Sequence, residues 1–252
     1  MRLEKKVAVI AGAGCGNGMG RSFPEAFAKE GADLVLNYHK QPSGQMEDYI
    51  ESLRSYGVKV FGLEGDISQE ATARDLIGLA VKEFGRVDIL LNTQGITGEA
   101  LTEELSLEQW ERMHAVHLTS MFLTCRYAVP IMKQQRYGRI INIASQTGQK
   151  GAVRLSHYAS AKAGIIGFTK CLARETGAYN ITVNCIAPGP IQTQMLDAAS
   201  DSWKQDKLAE LVLPRFGLLE EVTPTAIFLA SEPDGNLYTG QTLGPNCGDV
   251  ML

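Results

Sequence analysis

The chain has no surplus of positive charge: 24 Lys and Arg stand against 28 Asp and Glu, for a net charge of -4. No basic field is available to hold a phosphate polymer, so nucleic acid is not an expected partner. Long apolar runs are also missing. The stretch from Ile140 to Ala144 is interrupted by Asn142, far short of the roughly 18 residues a membrane-spanning helix needs, and no membrane role is expected. Cysteine is sparse: Cys15, Cys125, Cys171, Cys185 and Cys247 are scattered and odd in number, which reads as reduced thiols rather than a disulfide framework. A strand beginning by Val7 leaves no room for a secretory leader, so a cytoplasmic protein is expected. No Cys-x-x-Cys or His-Glu-x-x-His occurs, and His114 with His117 lacks an evident third ligand, so no metal site is predicted. A Gly-Lys-Ser/Thr phosphate loop and a Gly-x-Ser-x-Gly hydrolase elbow are absent as well.

What remains is a chain of 252 residues, 44% apolar and 21% charged, long enough to bury a sizeable core without disulfides or metal. Short β-branched runs alternate with helix-period segments: Val7 to Ala11, Arg21 to Glu30, Leu34 to Asn37, Met46 to Ser55, Val58 to Leu63, Gln69 to Phe84 and Val87 to Asn92. The rhythm continues through Leu107 to Lys133, Arg139 to Ala144, Tyr158 to Thr176 and Ile181 to Ile186, with a last strand near Gln241 to Leu243. This alternation predicts βαβ units. The strands show no clean apolar–polar alternation, as parallel strands covered on both faces do not. The expectation is an α/β fold: a doubly wound, Rossmann-type parallel sheet of about seven strands with helices on both faces. No linker, charge block or repeat divides the chain, so residues 1–252 are read as one domain.

After the first strand comes Gly12-Ala13-Gly14-Cys15-Gly16-Asn17-Gly18-Met19-Gly20-Arg21, and a helical segment follows at once. Strand, glycine loop and helix in that order form an anion site, where exposed N–H groups and the helix dipole face a pyrophosphate. A dinucleotide is therefore expected. A carboxylate at the end of the second strand would select NAD(H) by holding the ribose 2′-hydroxyl. Here Leu36-Asn37-Tyr38-His39-Lys40 contains no acid, and His39 offers a donor to a 2′-phosphate; Lys40 reads equally as a solvated loop residue. NADP(H) is favoured, with NAD(H) the alternative.

Tyr158-Ala159-Ser160-Ala161-Lys162 places a phenol and an ammonium four residues apart on one helical face. Bringing a tyrosine from a pKa of about 10 to neutrality takes about 4 kcal/mol, and a neighbouring cation supplies it by favouring phenolate. Ser145 follows the strand ending at Ala144, at the carboxyl edge where open α/β sheets bind ligands. A hydroxyl there can orient a substrate carbonyl while Tyr158 acts as acid or base.

These residues, with the first βα unit through Glu25-Ala26-Phe27-Ala28-Lys29-Glu30-Gly31-Ala32, resemble the short-chain dehydrogenase/reductase family over essentially the whole chain. The chain is similar to the 3-oxoacyl reductases within it. The resemblance implies an oxidoreductase moving hydride between NADP(H) and a ketone or secondary alcohol, with 3-oxoacyl compounds among the substrates. Ser145 would orient the carbonyl, Tyr158 would act as acid/base, and Lys162 would lower the phenol pKa and hold the nicotinamide ribose. The helix register favours Gly12, Gly18 and Gly20 as the functional glycines, although Gly12, Gly16 and Gly18 satisfy the family spacing; the extra two residues would widen the loop. Asp66 and Ile67 match the family's adenine-contacting pair, and Asn92-Thr93-Gln94-Gly95 keeps Asn92 and Gly95 of its Asn-Asn-Ala-Gly. Pro188, Gly189, Ile191 and Thr193 match the segment that meets the carboxamide. His117 stands where the family has Asn, and reads either as a proton-relaying imidazole or as a packed helix histidine. Residues 194–213, with Met195, Leu196, Trp203, Leu208 and Leu211, should form a substrate lid, and the tail from Gly244 a subunit contact. A homotetramer or homodimer is implied. Enoyl reductases of the superfamily have a longer Tyr-to-Lys spacing, and extended epimerases need a larger C-terminal part. The reading of a different class is a non-catalytic dinucleotide-binding regulator, motivated by His117, by Ala11 before the first glycine and by the altered Asn-Thr-Gln-Gly.

Overall fold

A computed structural model describes residues 1–193, 196 and 200–251. Seven strands form one sheet in the order β3-β2-β1-β4-β5-β6-β7. They are β1 (Val7–Ala13), β2 (Asp33–Tyr38), β3 (Val60–Glu64), β4 (Ile89–Asn92), β5 (Gly138–Ile143), β6 (Ile181–Ile186) and β7 (Thr242–Leu243). Every neighbouring pair is parallel. Parallel neighbours need crossovers, and helices supply them on both faces. One core packs Phe23, Phe27, Leu53, Val222 and Ile227 against the sheet. The other packs Leu76, Met121, Met132, Ile165 and Leu172 on the opposite face. This is the expected doubly wound, Rossmann-type architecture, and among the described residues no helix is long and apolar enough to cross a membrane.

Helix α1 (Met19–Lys29) buries Phe23, Phe27 and Ala28 at helical spacing, and α2 (Gln45–Arg54) and α3 (Glu70–Phe84) follow β2 and β3. Gly31 ends it in the left-handed conformation, φ 86°, while the Gly31 N–H reaches the Ala28 carbonyl and the Ala32 N–H the Phe27 carbonyl. That Schellman arrangement turns the chain into β2. The single long helix expected over Leu107 to Lys133 is interrupted. A Ser106–Gln109 capping box opens α4 (Leu107–His114), a π-helical turn spans Ala115–Thr119, and α5 (Ser120–Gln135) continues. One extra residue per turn is inserted at His117, a local feature that apolar periodicity does not encode.

Strand order reverses between β1 and β4, and the loops leaving these two strands meet at the carboxyl edge. The Thr93 N–H bonds the Ala11 carbonyl at 3.0 Å. Such a switch point leaves a crevice where ligands bind.

Candidate active site

The crevice wall is built first by the glycine loop. Gly12 has φ +88°, and a Cβ there would lie 2.4 Å from Gln94 Cα. A Cβ on Gly20 would lie 2.7 Å from the Gly12 carbonyl oxygen. Both glycines are therefore required by close approach of backbone to backbone. Gly18 differs: it is the N-cap of α1 with an extended backbone, φ -170°, and a Cβ there meets nothing within 4 Å. The same open space surrounds Gly14. Neither strain nor packing within the chain demands glycine at these two positions, whereas a pyrophosphate lying against the backbone at the helix N-terminus does. The loop thus fits the phosphates of a dinucleotide. A cavity of about 300 Å³ opens beside it, lined by Asn17, Gln192, Leu218, Leu219 and Glu220.

At the end of β2, His39 and Lys40 are exposed. The glycine loop leans toward them: Cys15 Sγ lies 3.2 Å from Gln41 Oε1, and the Arg21 guanidinium donates to the Cys15 carbonyl at 3.0 Å while stacking on Tyr49, 5.0 Å from its ring centre. Beyond β3, one Asp66 oxygen accepts from the Ser68 N–H and hydroxyl, and the other from Arg112 at 2.9 Å. Three of about four lone-pair positions are used, leaving one for an exocyclic amine. Ile67 beside it is buried. Arg112 was not among the sequence-derived residues, since nothing local links it to Asp66.

Asn92 departs from a direct cofactor role for its side chain. Its Nδ2 donates to Asn142 Oδ1 at 2.9 Å, its Oδ1 accepts from the Thr124 hydroxyl at 2.7 Å, and Asn142 in turn reaches Thr169 at 3.0 Å. This buried chain of amides and hydroxyls ties β4 and β5 to α5 and to α7 (Ser156–Thr176). A side chain so committed braces the loop from within.

The catalytic candidates come together at the same edge. The Ala144 N–H bonds the Ile186 carbonyl at 2.7 Å and the Gln146 N–H bonds the Pro188 carbonyl at 3.1 Å, so the serine segment is stitched to the exit of β6. Ser145 Oγ accepts the Thr147 N–H at 3.1 Å, starting the short helix α6 (Thr147–Lys150). A Cβ on Gly148 would lie 2.7 Å from the Lys162 carbonyl carbon. This glycine, which no motif signals, lets the serine segment rest directly on α7.

Lys162 is buried, and its Nζ donates to the Ile143 carbonyl at 2.7 Å. The ammonium stands 5.6 Å from the Tyr158 ring centre. Burial lowers Lys162 from its ordinary value to about 7. Burial likewise pushes the Tyr158 phenol up, and the Ser145 hydroxyl draws it part of the way back. The sequence predicts a phenol pulled down by Lys162; in the structure, loss of water favours the neutral form of each group and is the larger influence.

His117 sits on the π turn with its ring edge-on to Tyr158, centres 5.2 Å apart and planes at 87°. Its Nε2 is 3.1 Å from the Ile96 nitrogen and 2.9 Å from the Ile96 oxygen, so it fastens the loop after β4 whichever tautomer is present. Gly95 makes the room, since a Cβ there would lie 2.6 Å from His117 Cε1. Burial, then the nearby Lys162 charge, hold the imidazole pKa at about 3. It is neutral across the physiological range, and of the two sequence readings the packed histidine is the one these contacts support.

Gly189 carries the C-terminal tail: its N–H bonds the Pro245 carbonyl at 3.1 Å, and a Cβ would meet Asn246 Cα at 2.6 Å. Ile191 is buried and bridges to Gly217, and Thr193 is half-buried. Of the expected lid, Gln194, Met195, Asp197, Ala198 and Ala199 lie outside the described residues. Leu196 and Leu211 are buried, Trp203 is 46% exposed, and α8 (Asp201–Glu210) buries a lysine, Lys207.

Comparison with known proteins gives the family of the chain. A family model described as enoyl-(acyl carrier protein) reductase matches residues 12–248. A 3-oxoacyl-[acyl-carrier-protein] reductase of Staphylococcus aureus is 35% identical over 251 residues, with 100% of both chains covered. The protein of the same name from Chlamydia pneumoniae is 37% identical over 239 residues, covering 95% of this chain and 94% of the other. A solved short-chain dehydrogenase/reductase from Serratia marcescens superposes with a TM-score of 0.90 at 31% identity, over 99% of each chain. The chain belongs to the short-chain dehydrogenase/reductase family. It is an NAD(P)-dependent oxidoreductase acting on alcohol and keto groups.

Proposed function

We propose that the protein is an NADPH-preferring ketone reductase whose substrates are 3-oxoacyl thioesters, reversible as an alcohol dehydrogenase. The observation that carries this reading is the convergence of Ser145, Tyr158 and Lys162 at the carboxyl edge, with Lys162 anchored on the strand that presents Ser145. When bound, the reduced nicotinamide supplies hydride to the carbonyl carbon. Ser145 donates a hydrogen bond to the carbonyl oxygen and orients it toward the phenol. Tyr158 gives its hydroxyl proton to that oxygen as negative charge develops there, leaving a phenolate that Lys162 stabilises. The Lys162 ammonium, 5.6 Å from the Tyr158 ring centre, favours that phenolate against the burial that raises the phenol. His117 acts as a neutral brace for the loop that carries Gly95 and Ile96, positioning the wall of the cleft.

The short Tyr-to-Lys spacing and the presence of Ser145 support carbonyl rather than enoyl chemistry. The names of the Staphylococcus and Chlamydia relatives support the 3-oxoacyl class. The NADPH preference rests on the lack of an acid at the end of β2 and on the exposed His39. Gly12, Gly18, Gly20, Asp66, Ile67, Pro188, Gly189, Ile191 and Thr193 would line the dinucleotide, with Gly95 and the backbone after Asn92. One domain with a lid over residues 194–213, a cytoplasmic location and a homotetramer or homodimer complete the reading. Exposed Phe122, set edge-on against Phe168 on the outer face of α5 and α7, supports self-association there. No contact within the site favours the regulator alternative.

The test is a titration with NADPH and NADH followed through nicotinamide emission, then a rate assay with acetoacetyl thioester. Tighter NADPH binding and thioester-dependent NADPH consumption are expected. Tighter NADH binding would overturn the cofactor preference, and no turnover of keto thioesters with either dinucleotide would overturn the substrate class.

A further inference from the structure

Helix α8 lies in the segment expected as the substrate lid and has little apolar surface to hold it. Its inward residue is Lys207, Trp203 faces largely outward, and Leu208 is only half-buried. What it meets instead is the carboxylate of Asp249, whose side chain is 2% exposed. One Asp249 oxygen takes Lys207 Nζ at 2.6 Å and the other takes Lys150 Nζ at 2.6 Å. Glu210 closes the cluster, 2.8 Å from Lys207 and 3.5 Å from Lys150. Two ammonium and two carboxylate groups leave the cluster neutral.

The four residues come from three separate segments. Lys150 ends α6, the turn that begins at Ser145; Lys207 and Glu210 belong to α8; Asp249 lies in the tail. The tail is itself held rigidly. Asn246 binds it through the Gly248 N–H, the Asp249 N–H and the Val250 carbonyl. Gly248 has φ +80°, and a Cβ there would lie 2.6 Å from Val212, while the Leu213 N–H bonds the Cys247 carbonyl at 3.0 Å. The tail, read from sequence as a subunit contact, makes these contacts within its own chain.

We propose that Asp249 is a positioning residue for the substrate: it latches the lid helix to the segment that carries Ser145 and so sets the width of the acyl entrance. This rests on the ketone reductase reading only for the identity of the substrate. A carboxylate shared by two lysines has no neutral substitute, because removing it leaves two cations facing a single, more exposed Glu210. Asp249→Asn keeps the shape and removes the charge.

The experiment compares the full-length wild type, D249N and K207M by amide hydrogen exchange and by steady-state kinetics with acetoacetyl thioester and NADPH. Breaking one partner of a buried pair, discounted for the exposure of Lys150 and Glu210, is expected to speed exchange across residues 201–213 roughly tenfold. Exchange across 156–176 stays unchanged. The thioester KM rises by a similar factor, while kcat and the NADPH Kd stay within about twofold. K207M, which leaves the Asp249–Lys150 pair intact, shows the same pattern at smaller size. Lid exchange within twofold of wild type in both variants overturns the latch, and faster lid exchange with an unchanged KM overturns the positioning role. Loss of protection throughout the chain in D249N shifts the decision to K207M. A wild type that turns over no keto thioester defeats the functional reading alone, since the exchange arm still decides the latch.

Discussion

At the amino end of the sheet, Asp88 enters β4 with no exposed side-chain surface, and its oxygens are met by the Val7 N–H at 2.9 Å and by Arg86 at 2.8 and 2.7 Å. Beside it Arg139, 1% exposed, reaches Gly138, Asn180, Asn236 and Glu232, and lies over Tyr137 with Lys6 on the same ring. The carboxyl end is different. Thr93, Gln94, His117, Gln146, Gln149 and His157 each hold a buried polar atom without a partner there, six of nine such atoms among the described residues. An unpartnered buried group costs about 1–3 kcal/mol. The other three, on Tyr137, Arg139 and Thr182, lie at the amino end, so unanswered groups are twice as many at the end where substrate and dinucleotide are proposed to lie as at the end built from ion pairs.

The comparison breaks most visibly at Tyr158. Tyr158→Phe removes the proton donor, and kcat is expected to fall about 1000-fold while NADPH titration gives an unchanged affinity; near-normal turnover would falsify the assignment. At the other end, Arg139→Met takes the guanidinium from Asn236 and from Glu232, which is partly exposed and keeps Lys6, and is expected to cost about 1–2 kcal/mol, read as a lower urea midpoint. Its kcat per folded molecule should match wild type, and a large drop in kcat would show that the two ends are not separable.

The glycine loop gives a sharper cut. Gly20→Ala drives a methyl into the Gly12 carbonyl and should cost about 2 kcal/mol of stability. Gly18→Ala has open space around it and should cost under about 1 kcal/mol, yet lower dinucleotide affinity about tenfold. Equal effects of the two on binding would remove the distinction between packing glycine and phosphate glycine.

The smallest effect concerns pH. Lys162 is held at about 7 in the folded chain against an unfolded value near 10.4, so the unfolded chain binds more protons between those values and stability rises with pH across them. Lys162→Met should flatten that slope in urea midpoints measured at pH 7 and 9.5. For His117, held at about 3, the contribution is present above about 6.5 and is lost as pH falls toward 3. His117→Asn should remove it, leaving the pH–rate profile between 6 and 8 unaltered, because an imidazole held at about 3 does not change its protonation state there.

Much of this was legible in the residues. The alternation of β-branched and helical runs placed seven strands because apolar periodicity is a local property, and the Tyr158-to-Lys162 spacing placed two side chains on one helical face by helix geometry alone. Ser145 was legible from its position after a strand. The π turn at His117 was not, since one inserted residue leaves the apolar pattern nearly intact. Asn92 was read toward the cofactor, whereas its side chain turns inward to Asn142 and Thr124, partners 50 and 32 residues away.

By itself the sequence determined the succession of strands and helices along the chain, the glycine loop and the register of tyrosine and lysine, all features that short-range sterics and helix periodicity enforce. The tertiary structure alone decided that burial raises Tyr158, lowers Lys162 and silences His117. It also decided that Asp249 meets Lys150 and Lys207 across 99 and 42 residues of chain. Desolvation and ion pairing depend on which distant segments exclude water from a group, and nothing in the local sequence states which segments those will be.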